Sequence, residues 1–297
     1  MLPMADIAFL GLGNMGSGMA VNLVKAGFSV KGFDPMPAAL ARAQEGGIAP
    51  AKSIGEAVSG VSAIVSMLPT GKEVRSAYET QVFPAASEGA LMLDCSTIDV
   101  ATTRAVSATA VARGFLMVDA PVSGGVAAAQ GGTLTFMVGG SGAAFAKAEP
   151  ILSKMGKAVI HAGDAGSGQA AKICNNMLLG ISMIGTCEAF VLAEKLGLDA
   201  QKFFDIASKA SGQCWSLTSY CPVPGPVPAA PSNRDYAAGF AVSMMLKDLR
   251  LAKEAAHAAG AATPLGEHAE ALYAAYAEAG FAVKDFSGII ESLRKAK

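Results

Sequence analysis

The sequence predicts an α/β unit with a doubly wound parallel sheet over residues 1–164, followed by an all-helical unit over 165–297. Three observations carry this. Short apolar runs alternate with helical patterns through the first half, the mark of a parallel sheet covered on both faces. A glycine-rich turn joins the first run to the first helical pattern. After Gly166 the alternation stops and only helical patterns follow.

Ile7 to Leu10 is the first apolar run, and the helical pattern behind its turn extends to Ala26, closed by Gly27. The segment FSVKGF (28–33) reads as the second strand and ends at Asp34. Ser53-Ile-Gly-Glu56 has capping-box spacing and opens a short helix. VSAIVSML (61–68), ALMLD (90–94) and GFLMVDAPV (114–122) read as buried strands. TLTFMVGG (133–140) and KAVIHAG (157–163) add two late strands around a helix near Ala143 to Lys154. A long interdomain helix covers about 167–196, with further helices at 199–210, 239–259, 264–279 and 285–295. The stretch YCPVPGPVPAAPSN (220–233) is a loop, because prolines at that density forbid helix and central strand alike.

Composition narrows the function. Of 297 residues 52% are hydrophobic and 16% charged, and the net charge of −1 supplies no basic field for nucleic acid or an anionic membrane. The cysteines (Cys95, Cys174, Cys187, Cys214, Cys221) are odd in number and form no C-x-x-C pair, which argues for a reducing compartment. His161, His257 and His268 lack metal-ligand spacing, so no metal is expected. Ala120–Ala146 is broken by glycines and Ala210–Asn233 contains five prolines, so neither reads as a membrane span. No basic region precedes the first apolar run, so no leader is read. The expectation is a soluble protein, cytoplasmic in a bacterium or in the mitochondrial matrix of a eukaryote.

Within IAFLGLGNMGSGMA, Gly11, Gly13 and Gly16 satisfy G-x-G-x-x-G between a predicted strand and a predicted helix. Gly11 permits the tight turn, Gly13 admits a pyrophosphate to the backbone, and Gly16 lets helix and strand pack closely. Leu12, Asn14 and Met15 complete a turn whose helix presents its positive end to the phosphates. A glycine turn in any doubly wound fold would meet the same spacing. Asp34 favours the dinucleotide: it lies 18 residues after Gly16, near the ~20-residue interval at which a carboxylate bonds the ribose hydroxyls. A carboxylate there repels a 2′-phosphate, and no arginine precedes Arg42, so NAD is read over NADP. Leu68-Pro69 and Ser96-Thr97, each just past a strand's end, should line the cofactor crevice.

Between Ala165 and Cys187 the chain carries one charge, Lys172. A helix that is apolar nearly all round is buried, and burial disfavours an ammonium. Lys172 and Asn176 are four apart and share a helix face, with Gly180 continuing the row and leaving space above it. Two readings stand: a lysine snorkelling at a helix start, or a proton carrier. Asn175-Asn176 and the upstream loop DAPVSGGVAAAQGG (119–132) favour the second, and no histidine lies near either motif. Ser123, Gly124 and Gly125 in that loop combine a hydroxyl with bare amides, which suits a carboxylate.

FLGLGNMGSGMA, DAPVSGG, GSGQAAKICNNMLLGISMIGT, CWSLTSYCPVPGPVP and MMLKDLRLA together resemble the β-hydroxyacid dehydrogenase family, from Ile7 to the final helix. The tryptophan and the Pro-rich loop resemble its hydroxyisobutyrate branch. The resemblance implies a Rossmann-type domain and NAD-dependent oxidation of 3-hydroxyisobutyrate to methylmalonate semialdehyde, as in valine breakdown, by a homodimer or homotetramer. It implies Lys172 as general base, Asn176 as its positioning partner, and Ser123, Gly124 and Gly125 as holders of the substrate carboxylate. It also implies that Lys247 reaches the nicotinamide; read without it, Lys247-Asp248 is a solvated charge pair. Lys172 must be neutral to accept a proton, and burial beside a cationic nicotinamide lowers a pKa from the free value near ~10.4. Cys221 stands where this branch shows asparagine and Arg250 where glycine is usual; the first bears on the loop, the second on helix packing. The alternatives are a sister activity (tartronate semialdehyde reduction, or oxidation of L-serine or 3-hydroxypropionate) and a non-catalytic nucleotide-binding module, which would be expected to lose the lysine.

Overall fold

The computed structural model describes residues 6–295. The reading of the N-terminus as leaderless rests partly on residues 1–5, which lie outside the described residues. The chain divides into two compact units, Met1–Lys172 and Ile173–Lys297.

The first unit is built on nine strands: β1 (Asp6–Leu10), β2 (Ser29–Phe33), β3 (Ala49–Pro50), β4 (Ala63–Ser66), β5 (Leu91–Asp94), β6 (Leu116–Asp119), β7 (Val122–Ser123), β8 (Leu134–Gly139) and β9 (Gly156–Gly163). Their order is β3-β2-β1-β4-β5-β6-β8-β7, with β9 beside β8. From β3 to β6 every pairing is parallel. That is the dinucleotide-binding order, which opens a crevice outside the carboxyl ends of β1 and β4, where the winding reverses. Residues alternate between two cores as a doubly covered sheet requires. Ile7, Phe9, Val65 and Leu93 enter one, and Ala8, Leu10, Ile64 and Met92 the other.

The sheet is parallel-dominated rather than parallel throughout. The predicted strand 114–122 breaks at Asp119, and Pro121, which lacks an N–H, separates β6 from β7. β8 runs antiparallel to β6 and β7, while β9 is parallel to β8. The segment between β7 and β8 is too short for a covering crossover. Ser53 Oγ accepts from Glu56 N at 3.1 Å, as a capping box requires, but the Glu56 carboxylate reaches one residue further back, to Lys52 N at 2.9 Å.

The helix Ser167–Lys195 runs out of the first unit into the second. The second unit adds helices Ala200–Ala207, Trp215–Thr218, Val242–Ala259, Pro264–Tyr276 and Ile290–Lys295. The predicted helix 285–295 starts as a 3₁₀ turn, Phe286–Ile289, because the Asp285 side chain accepts from Ser287 N and caps it there. The Pro-rich stretch is a loop that ends in the 3₁₀ turn Pro231–Arg234. By length and composition alone Ser167–Lys195 is able to cross a membrane. Its Met183, Cys187 and Phe190, however, lie fully buried in the second unit's core, as in the central helix of a globular unit. The space expected above Gly180 is filled. A Cβ there would meet Leu249 Cδ2 at 3.2 Å and Met245 Sδ at 3.3 Å, so this glycine admits helix Val242–Ala259.

Candidate active site

At the end of β1 the chain turns through Gly11, whose φ of +91° excludes most side chains and whose Cβ would lie 2.3 Å from Met67 O. A Cβ on Gly16 would lie 1.9 Å from Gly11 O, so helix and turn touch through bare backbone. Gly13 differs: nothing lies within 4 Å of its Cβ position. That open space faces the start of helix Asn14–Lys25, which has neither a side-chain cap nor an acidic residue in its first turn. Unfilled amides at the positive end of a helix fit a pyrophosphate.

Asp34 is buried at the end of β2, its Oδ2 accepting from Leu12 N at 2.7 Å and its Oδ1 from Met36 N at 2.8 Å. Each oxygen keeps a further lone pair for a ribose hydroxyl. A cavity of about 370 Å³ runs along helix Asn14–Lys25, lined by Gly13, Asn14, Ser17, Lys25, Arg42 and Gln130 among others.

The loops after β4 and β5 are tied together. Leu68 N donates to Ser96 Oγ at 2.8 Å, and Ser96 Oγ donates to Asp94 Oδ1 at 2.6 Å. Asp94 also accepts from Ser66 Oγ at 2.8 Å, and Ser66 bonds Tyr78 Oη at 2.9 Å. Burial pushes the Asp94 carboxyl upward, against the pull of the serine hydrogen bonds. Sequence reasoning named Leu68 and Ser96 but not Asp94, which the structure bonds to Ser96 and whose signal is an acid ending an otherwise apolar strand.

Ser123 lies on β7 opposite Thr135. Gly124 and Gly125 follow with φ of +134° and +71°, and Gly124 starts helix Gly125–Gly131 without a side-chain cap. The start of this helix therefore follows directly on the Ser123 position.

Lys172 is buried at 6% exposure, and Asn176, one turn later, at 2%. Asn176 Nδ2 donates to Asp248 Oδ2 at 2.5 Å, while Asn176 Oδ1 accepts from Asn175 Nδ2 at 2.9 Å. Both ends of the amide are thus fixed. The solvated-pair reading of Lys247-Asp248 is overturned: Asp248 is 3% exposed, and Lys247 Nζ lies 3.9 Å from its Oδ1. Burial holds the Lys247 ammonium below the ordinary lysine range, and Asp248 opposes that shift. Asp248 was missed as a partner of Asn176 because a Lys-Asp step on a helix usually marks a wet face.

The Pro-rich loop is pinned by Asp285, which accepts from Tyr220 Oη at 2.8 Å, Gly239 N at 2.9 Å and Phe240 N at 3.0 Å. Trp215 stacks on Tyr220 with ring centroids 4.8 Å apart. Cys221 is fully buried and burial pushes its thiol up to about 11. Arg250 reaches Glu270 at 3.3 Å beside Lys253 at 3.1 Å, joining helices Val242–Ala259 and Pro264–Tyr276.

Known proteins resemble the chain along its whole length. Residues 6–163 match the family model described as the NAD binding domain of 6-phosphogluconate dehydrogenase. Residues 166–293 match the one described as the NAD-binding of NADP-dependent 3-hydroxyisobutyrate dehydrogenase. A Mycobacterium tuberculosis protein named "Probable 3-hydroxyisobutyrate dehydrogenase" is 51% identical over 98% of both chains. A Pseudomonas aeruginosa NAD-dependent L-serine dehydrogenase is 45% identical over 96% of both. A solved structure of Mycobacterium tuberculosis 3-hydroxyisobutyrate dehydrogenase with L-serine superposes with a TM-score of 0.95 at 50% identity, covering 98% of this chain and 99% of that one. With a glycine turn shaped for a dinucleotide and relatives this similar over its full length, the chain belongs to the 3-hydroxyisobutyrate dehydrogenase family of NAD-dependent oxidoreductases.

Proposed function

We propose that this enzyme oxidises 3-hydroxyisobutyrate to methylmalonate semialdehyde, as in valine breakdown, with Lys172 as the general base. The observation that carries the reading is a lysine buried in an apolar stretch of helix, one turn from an asparagine whose amide is fixed at both ends. Gly11 through Gly16, Asp34, Leu68, Pro69, Ser96, Thr97 and Lys247 would hold NAD, which supplies a hydride acceptor when bound. The amides of Gly124 and Gly125 and the Ser123 hydroxyl bind the substrate carboxylate. Asn176 orients the substrate and the lysine. Lys172, in its neutral form, takes the proton from the substrate hydroxyl as the carbonyl forms. In this reading residues 1–164 are the NAD-binding domain, which also carries the carboxylate loop, and residues 165–297 the substrate and dimerisation domain of a homodimer or homotetramer, in the cytoplasm or the mitochondrial matrix.

Oxidation of L-serine is the second reading, favoured by the relative that bears that name and by the similar structure that holds L-serine. Rates of NADH formation from 3-hydroxyisobutyrate, L-serine and 3-hydroxypropionate decide between them. A kcat/KM highest for 3-hydroxyisobutyrate is expected, and one highest for L-serine overturns the first reading.

Asp34 carries a separate prediction. Asp34→Asn combined with Pro35→Arg, at an exposed position, removes a charge that repels a 2′-phosphate and adds one that attracts it. One charge-assisted hydrogen bond gained is worth about ten-fold or more, so the NAD-to-NADP ratio of kcat/KM should fall by at least that much. A wild type that uses the two cofactors equally would show that Asp34 does not read the ribose.

A further inference from the structure

The helix that carries Lys172 does not begin freely. Asp119, the last residue of β6, is 2% exposed and directs its carboxylate into the helix start. Its Oδ1 accepts from Gly166 N at 2.8 Å and its Oδ2 from Gln169 N at 2.9 Å. Gln169, fully buried, makes a second clasp: its Nε2 donates to Ser96 O at 2.7 Å and its Oε1 accepts from Ile98 N at 3.1 Å. The fit is tight on all sides. A Cβ on Gly139 would lie 2.4 Å from Asp119 Oδ1, and one on Gly168 would lie 2.3 Å from Met137 O. Both glycines therefore allow strand and helix to close on the carboxylate.

Burying an anion is costly unless hydrogen bonds replace its water. A neutral cap such as serine would satisfy one amide of a helix start at far lower cost. What Asp119 adds is a rigid link between two places. It is four residues before Ser123 in the chain, and its carboxylate grips the helix one turn before Lys172. Gln169 links the same turn to the loop that contains Ser96.

We infer that Asp119 and Gln169 form a latch that positions Lys172 for proton transfer, holding the base at a set distance from the carboxylate-binding loop and from the cofactor loop after β5. Neither residue touches the reacting atoms; both act through the helix start. The inference rests on the proposed role of Lys172.

The test compares Asp119→Asn and Gln169→Met, each nearly isosteric, with the wild type and with Lys172→Met. Asparagine places an NH₂ against a backbone N–H and opens one side of the latch. Methionine removes both bonds of the other side without a change of charge. In folded Asp119→Asn, kcat for 3-hydroxyisobutyrate should fall about ten-fold or more while KM and the NAD dissociation constant stay within about two-fold. The deuterium isotope effect from substrate labelled at the hydroxylated carbon should rise, because the chemical step becomes limiting; a residue that only stabilises the fold would not move it. Gln169→Met should show the same signature, and in the Lys172→Met background neither change should matter further. Should Asp119→Asn not fold, the Gln169→Met result stands alone. Wild-type kcat and isotope effect in either folded variant overturn the latch. Full activity of Lys172→Met would instead overturn the general-base reading, so the two failures are distinguishable.

Discussion

Lys172→Met is expected to yield a folded protein that binds NAD and turns over 3-hydroxyisobutyrate ~10²–10⁴-fold more slowly, the span typical of losing a positioned acid–base group. Methionine keeps much of the volume and suits the apolar helix around it, so the fold should survive the change. Lys172→Arg separates charge from chemistry: a guanidinium stays protonated at any working pH and cannot accept the proton. It should be as inactive as Lys172→Met. The measurement is kcat for both variants, with NAD affinity by titration as the control. Near-normal turnover in Lys172→Met would leave the residue as a lysine that merely fills a helix start.

Ser123→Ala should weaken catalysis on the acid selectively. A hydrogen bond to a charged group is worth roughly 1.5–3 kcal/mol, which corresponds to about 10- to 150-fold in kcat/KM. The amides of Gly124 and Gly125 remain, at φ of +134° and +71°. The residual activity should therefore still favour the acid over its methyl ester, but by much less than in the wild type. NAD affinity should scarcely change, because the pyrophosphate is assigned to the glycine turn after β1. Equal activity of the wild type on acid and ester would mean that no carboxylate is read at Ser123.

What was legible in the sequence was local. The glycines at 11, 13 and 16, followed by Asp34 at the end of the second strand, obey spacing rules that hold within one β-α-β segment. Lys172 stands out because it is the single charge between residues 165 and 187, a stretch otherwise fit for burial. The polar contacts that support these residues join distant segments and leave no periodic trace. Ser66 and Asp94 are 28 residues apart, Asp119 and Gln169 50, and Asn176 and Asp248 72. Two-residue strands such as β3 and β7 are too short to show alternation, which is why the antiparallel return at the sheet's end was not anticipated. Gly180 was misread for a related reason: a small residue marks a close approach, but the approaching helix belongs to residues 242–259.

Trp215 is the chain's one tryptophan, half exposed and stacked on the Tyr220 ring, whose hydroxyl is held by Asp285. The protein thus has a built-in optical probe with a single address. Light absorbed only by tryptophan reports on the segment ahead of the Pro-rich loop and on no other part of the chain. A change in its emission on adding a hydroxy acid would locate the response there without any label being introduced. Removing the Asp285 carboxylate should alter the emission of the resting protein by loosening the ring beneath the indole, and that dark-state signal can be followed before any turnover begins.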